Sequence, residues 1–216
     1  MTGKRSTHHI FALAVVSSAT ILIVGACKPR VEVFPSDDVA FAVDLERVGP
    51  IYENSDLGVK YQPPVNWDRL EGNQRQAVLD ALASSDDEGD YSLDVADIFF
   101  DTESMSFSSI AMVSEGDAIP AVEEYAESFA AILGLNDRDA INDDHAVVAR
   151  MNFSVNDVPI VQFRHLRSNR ITFTLLFSSK TEKLIQLDYS IPADTYQREA
   201  GKLESSIGTL QLISVD

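Results

Sequence analysis

Four β-rich runs joined by short turns, with amphipathic helical stretches on either side, predict an α+β fold: an antiparallel β-sheet meander flanked by helices. The runs are residues 146–155, 159–166, 171–177 and 184–190, each rich in β-branched and aromatic residues. Their separators are Asn156-Asp157, Ser168-Asn169 and the stretch Ser178–Glu182. Such short connections make the strands antiparallel neighbours. Thr172 and Thr174 alternate with Ile171, Phe173 and Leu175, as two faces of a sheet require.

The remaining elements follow in chain order. Residues 27–56 read as a tether leading into the domain, because Pro29, Pro35, Gly49 and Pro50 interrupt any long regular element. Within it, residues 39–48 are apolar enough for a short helix or strand, with no pattern to choose between them. Residues 57–67 read as a strand that stops at Pro63 and Pro64, since neither can donate to a ladder. Trp67, the single tryptophan, is expected at the edge of the core. Ala77, Val78, Ala81 and Leu82 give residues 73–84 a helical period. Residues 86–90 read as an acidic loop, and 96–100 and 106–113 as strands. Asp117 is placed to cap a helix running to Leu133, with Pro120 in its first turn and Gly134 to stop it. Val122, Tyr125, Ala126, Phe129, Ile132 and Leu133 form its apolar stripe. Residues 193–210 read as a closing helix capped by Asp194, with Tyr196, Ala200, Leu203 and Ile207 on one side. The tail 211–213 is a candidate edge strand. Residues 57–216 are thus expected to form one α+β domain, and 45% hydrophobic content is enough for its core.

This order of elements resembles the PsbP/DcrB-like family. The resemblance rests on the strand ending at Pro64 and Trp67, the helix at 117–133, the meander at 146–190 and the helix at 193–210. It covers roughly residues 57–213 and includes no sharp motif. It implies an α/β/α sandwich and a role as an assembly factor, binding module or lipoprotein, with no shared catalytic site. No functional residue carries over.

The first 27 residues carry a different signal. Lys4 and Arg5 precede an apolar run, Ile10–Val24, whose ~15 residues suit a signal-peptide core and fall short of the ~20 of a spanning helix. The run ends in Val24-Gly25-Ala26-Cys27. An aliphatic residue, two small residues and cysteine resemble the lipobox of bacterial lipoprotein signals. A peptidase that binds an extended backbone in a narrow site needs small residues before the cut, and the thiol is the nucleophile that takes up the lipid. The resemblance implies lipidation of Cys27 and cleavage between Ala26 and Cys27, so the expected partner is a membrane engaged through acyl chains. An ordinary secretory signal cut near Ala26, or an uncleaved anchor helix, are the alternatives. Lys28 in place of an acid after the cysteine slightly favours an outer-membrane destination, facing the periplasm, over the inner membrane.

Charge narrows the functions. The chain has 17 Lys+Arg and 34 Asp+Glu, and removing residues 1–26 takes away Lys4 and Arg5 and no acid, so the net charge moves from −17 to −19. Such a body repels nucleic-acid phosphates and anionic headgroups alike. Only His145 and His165 lie beyond the leader, no Cys or His pair has zinc spacing, and no cofactor is expected. The acidic clusters at 86–90 and 142–145 lack a calcium-loop pattern: aligning Gly89 with the loop glycine puts Val95 where a bidentate Glu belongs. Nucleophile elbows and phosphate-binding glycine loops are also missing.

One feature stands against the acidic background. Arg150, Arg164, His165, Arg167 and Arg170 fall within 21 residues around the second hairpin. Arg164, Arg167 and Arg170 are expected at one end of the sheet, as a patch for an anion or an acidic partner. The competing expectation, and the stronger one, is that they neutralise the domain's own acids. The function expected is a non-catalytic envelope lipoprotein that binds or scaffolds an unknown envelope protein. The alternatives are a periplasmic small-molecule or lipid binder and a hydrolase with an unrecognised site.

Overall fold

The computed structural model describes residues 34–38, 41–83, 91–133 and 149–214. The chain divides into two compact units, Met1–Arg30 and Val31–Asp216, and the elements below belong to the second. In order they are β1 (Phe34–Asp38), a 3₁₀ turn (Leu45–Arg47), β2 (Tyr52–Asn54), β3 (Val59–Tyr61), β4 (Asp68–Arg69), α1 (Gly72–Ala83), β5 (Tyr91–Asp101), β6 (Ser106–Glu115), α2 (Val122–Ile132), β7 (Ala149–Val155), β8 (Val158–Arg167), β9 (Arg170–Ser178), β10 (Leu184–Pro192), α3 (Tyr196–Gly208) and β11 (Gln211–Leu212). Eight strands form one sheet in the order β1-β7-β8-β9-β10-β6-β5-β4, and β11-β3-β2 form a second. Every pairing is antiparallel except β1 with β7. The fold is α+β, as the sequence predicts.

The meander forms where its composition places it. Asn156 and Asp157 take φ of 48° and 65°, and Ser168 and Asn169 take 49° and 59°. Both turns therefore sit in the left-handed region that a two-residue hairpin with right-twisted strands demands, and Asn and Asp tolerate it better than most residues. Alternation along β8, β9 and β10 divides the core in two. Phe153, Phe173, Leu175, Phe177, Ile185, Leu187, Tyr189 and Ile191 face the side covered by α3 and the small sheet. Val161, Phe163, Leu176, Leu184 and Val113 face Tyr125 and Ala126 of α2. Trp67 is buried against Tyr189, with ring centroids 6.1 Å apart.

Several boundaries move, each for a local reason. Glu115 and Ala118 exchange backbone hydrogen bonds of 2.9 and 3.0 Å, so Asp117 lies in a turn and α2 begins at Val122, after Ala121. Asp194 is likewise no cap: Thr195 holds that position before α3, and its hydroxyl donates back to the Pro192 carbonyl at 3.1 Å. β5 extends back from Ala96 to Tyr91, because Tyr91 and Leu93 pack under α2. A bulge between Val95 and Asp97 breaks its ladder with β6, and Arg75 of α1 donates to the Val95 and Ala96 carbonyls there. The tail adds its strand to the small sheet, pairing with β3.

The stretch read as a tether, 27–56, differs most. Its residues from 34 on supply β1, the 3₁₀ turn and β2 to the folded unit. Val48 and Tyr52 are buried, and Tyr52 donates through its hydroxyl to buried Asp97 at 2.6 Å. Proline stops long elements but does not prevent short ones, which is why composition suggested a linker. The segment 41–47 crosses the outer side of α3, where Gly201, Ser205 and Gly208 leave room for it. Asp44 donates its N–H to Ser205 Oγ at 3.3 Å, and a Cβ on Gly208 would stand 2.8 Å from Phe41 Cβ and Val43 Cγ2.

Candidate functional site

The β8–β9 hairpin carries the arginines, and its register decides what each one does. Arg164 lies opposite Phe173, on the α3 side of the sheet, whereas Arg167 lies opposite Arg170 on the α2 side. The three expected to form one patch do share one end of the sheet, but they are divided between its two faces.

Arg170 is committed within the fold. Its Nε donates to Ser190 Oγ at 2.8 Å, and its terminal nitrogen donates to the Met105 and Ser190 carbonyls, each at 2.9 Å. The guanidinium also lies 5.2 Å from the Phe107 ring centroid. Drawing Arg170 toward β10 relieves the like-charge opposition with Arg167. Arg150 on β7 does what the competing expectation held: it pairs with Glu123 at 2.5 Å and Glu127 at 3.6 Å on α2. Arg164 and Arg167 are exposed, and among the described residues neither has an acidic partner.

Beside Arg164 is a groove of about 180 Å³ lined by Arg164, His165, Leu166, Ile171 and Tyr196. Leu166 and Ile171 are cross-strand partners. Tyr196, the first residue of α3, stacks on Phe173 with centroids 5.9 Å apart and planes at 21°. The groove thus has an apolar lining with one guanidinium. The sequence marked Arg164 and His165 but not Tyr196, which read as part of a helix stripe; only the packing of α3 beside the hairpin turn brings them together.

His165 is half-buried, and its Nδ1 has no hydrogen-bond partner among the described residues. Burial, and then the charge of Arg167, push its imidazole below the ordinary histidine value, so it is neutral at pH 7. Positive charge at this end therefore comes from arginine. No three His, Cys, Asp or Glu side chains converge among the described residues. Two acidic centres in the sheet are met by donors. Asp97 accepts from Tyr52 at 2.6 Å and Arg69 at 2.5 Å. Asp188 accepts from Thr174 at 2.5 Å and from Gln186 at 2.7 Å, while burial raises its pKa. Ala26, Cys27, His145 and the clusters at 86–90 and 142–145 lie outside the described residues, as does Gly134.

No protein-family model matches the chain, and no curated protein does. Among solved structures it is similar to the solution structure of cyanobacterial PsbP (CyanoP) from Synechocystis sp. PCC 6803. Identity is 13%, the TM-score is 0.48, and the match covers 77% of this chain and 93% of that one. A likeness at this level says nothing of what either protein binds.

Proposed function

We propose that this chain is a membrane-anchored envelope lipoprotein whose domain is a non-catalytic binding or assembly module. The binding reading is carried by Arg164: an arginine without an acidic partner among the described residues, above an apolar groove, in a chain with twice as many acids as bases. An arginine in such surroundings would gain a surface pair easily, and its remaining open beside a groove favours an external anion. The anchor reading is supported by Val24-Gly25-Ala26-Cys27 after an apolar run. Lipid on Cys27 would hold an acidic body beside a membrane that its charge alone does not attract. Lys28 supports the outer membrane, facing the periplasm, as the destination.

The small groove supports a second reading, a periplasmic binder of small molecules, better than it supports one that encloses a whole lipid. The anchor is tested by Cys27→Ser: the variant should accumulate as uncleaved precursor and leave the membrane fraction, and globomycin should block processing of the native chain. Normal maturation and membrane fractionation of the variant would refute lipidation. Crosslinking in cells through a photoreactive aromatic side chain at position 196, in the groove beside an intact Arg164, should capture an envelope component that the same probe at exposed Glu204 does not.

A further inference from the structure

Resting on the reading of the Arg164 groove as a binding surface, we propose that it takes a single carboxylate carried on a short apolar body. The guanidinium fork of Arg164 matches a carboxylate, and no acid of the described residues occupies it. One unpaired guanidinium matches one negative charge. A phosphate dianion would need a second cation, and a chain of net charge −17 repels two charges twice as strongly as one. Arg170 cannot be that second cation, because Ser190 and Met105 hold it on the opposite face of the sheet. At physiological ionic strength fields fade over about 8 Å, so the local arginine outweighs distant acids.

Leu166, Ile171 and Tyr196 decide what the carboxylate is attached to. They give the ligand's body apolar contacts and an aromatic ring. The groove's volume, about 180 Å³, has room for a short alkyl or aromatic group. Each methylene buried there should tighten binding up to about fourfold until the groove is full. The same chemistry occurs in a free alkyl or aromatic acid and in the C-terminus of a peptide ending in an apolar residue.

The test uses the full chain, purified in nanodiscs of neutral lipid, with backbone amide shifts read for Arg164, Leu166, Ile171 and Tyr196. Acetate, butyrate and hexanoate should shift these amides with rising affinity. Hexanamide, which has the same body without the charge, should bind at least about tenfold more weakly. Arg164→Gln should abolish the preference for acid over amide, while Arg167→Gln keeps it. A dipeptide ending in phenylalanine, compared with its C-terminal amide, distinguishes the sources: tighter binding than hexanoate identifies a peptide terminus, weaker binding a free acid. Equal binding of hexanoate and hexanamide overturns the carboxylate assignment and leaves the groove a binding surface. So does a preference that survives Arg164→Gln. No shift at these amides with any probe overturns both.

Discussion

Arg167 and Arg170 face each other across one rung of the hairpin, yet their removal should have different consequences. Arg170→Ala breaks hydrogen bonds to Ser190 and Met105 and a cation–ring contact, and should cost about 2 kcal/mol of stability. Arg167→Ala removes an exposed charge opposite another and should change stability by less than ~0.5 kcal/mol. Urea unfolding of the two variants checks this; equal losses would refute the division of roles. His165 makes the second prediction at this scale. Its folded-state pKa lies below the unfolded value of about 6.5, so both states are neutral above that pH and proton uptake favours the unfolded chain below it. The melting temperature should therefore fall as the pH drops from about 7 through the depressed pKa, and the fall should shrink in His165→Gln. Parallel curves for the two proteins would exclude His165 as the source.

At the scale of elements, α3 is packed on both sides, by the sheet and by the segment 41–47. Its glycines test that arrangement because the same substitution should have opposite signs. Gly208→Ala puts a methyl 2.8 Å from Phe41 Cβ and Val43 Cγ2, atoms close to the backbone, so the crossing segment must move; a loss of about 1–3 kcal/mol follows. Gly201→Ala meets the Arg47 guanidinium instead, the end of a flexible and half-exposed side chain that can swing away. The gain in helix propensity should then prevail, by up to ~1 kcal/mol. Thermal unfolding of both variants reads the signs directly; if Gly208→Ala is as stable as the native chain, segment 41–47 does not pack there.

For the whole molecule, the decisive question is where the folded unit begins. Tyr52 donates to Asp97, which is only 2% exposed, and Asn54 donates in turn to the Tyr52 hydroxyl at 3.0 Å. A chain starting at residue 57 loses Tyr52, Val48 and β2, and leaves the Asp97 carboxylate short of a donor. Such a loss should cost several kcal/mol and broaden or abolish the cooperative transition. A chain starting at residue 41 keeps them and should melt sharply and well above it, as differential scanning calorimetry would show. Equal transitions would mean that residues 41–56 add nothing to the core.

Elements with local signals were legible from the amino-acid order alone. Four β-rich runs with Asn-Asp and Ser-Asn between them specify hairpins, because turn conformation and strand period both depend on residues a few positions apart. The helices at 73–84 and 193–210 were legible for the same reason, although Asp117 and Asp194 misled as caps, a role that depends on where the neighbouring backbone bonds. Arg164, Arg167 and Arg170 were visible as a cluster. Only the tertiary structure assigned them separate tasks, since register across β8 and β9 sends Arg164 to one face and the other two to the opposite face. It also drew residues 41–56 into the fold, through partners as distant in sequence as Ser205 and Asp97. Contacts of that separation leave no periodic trace in a one-dimensional pattern; they exist only once the sheet and α3 have brought the two stretches of chain together.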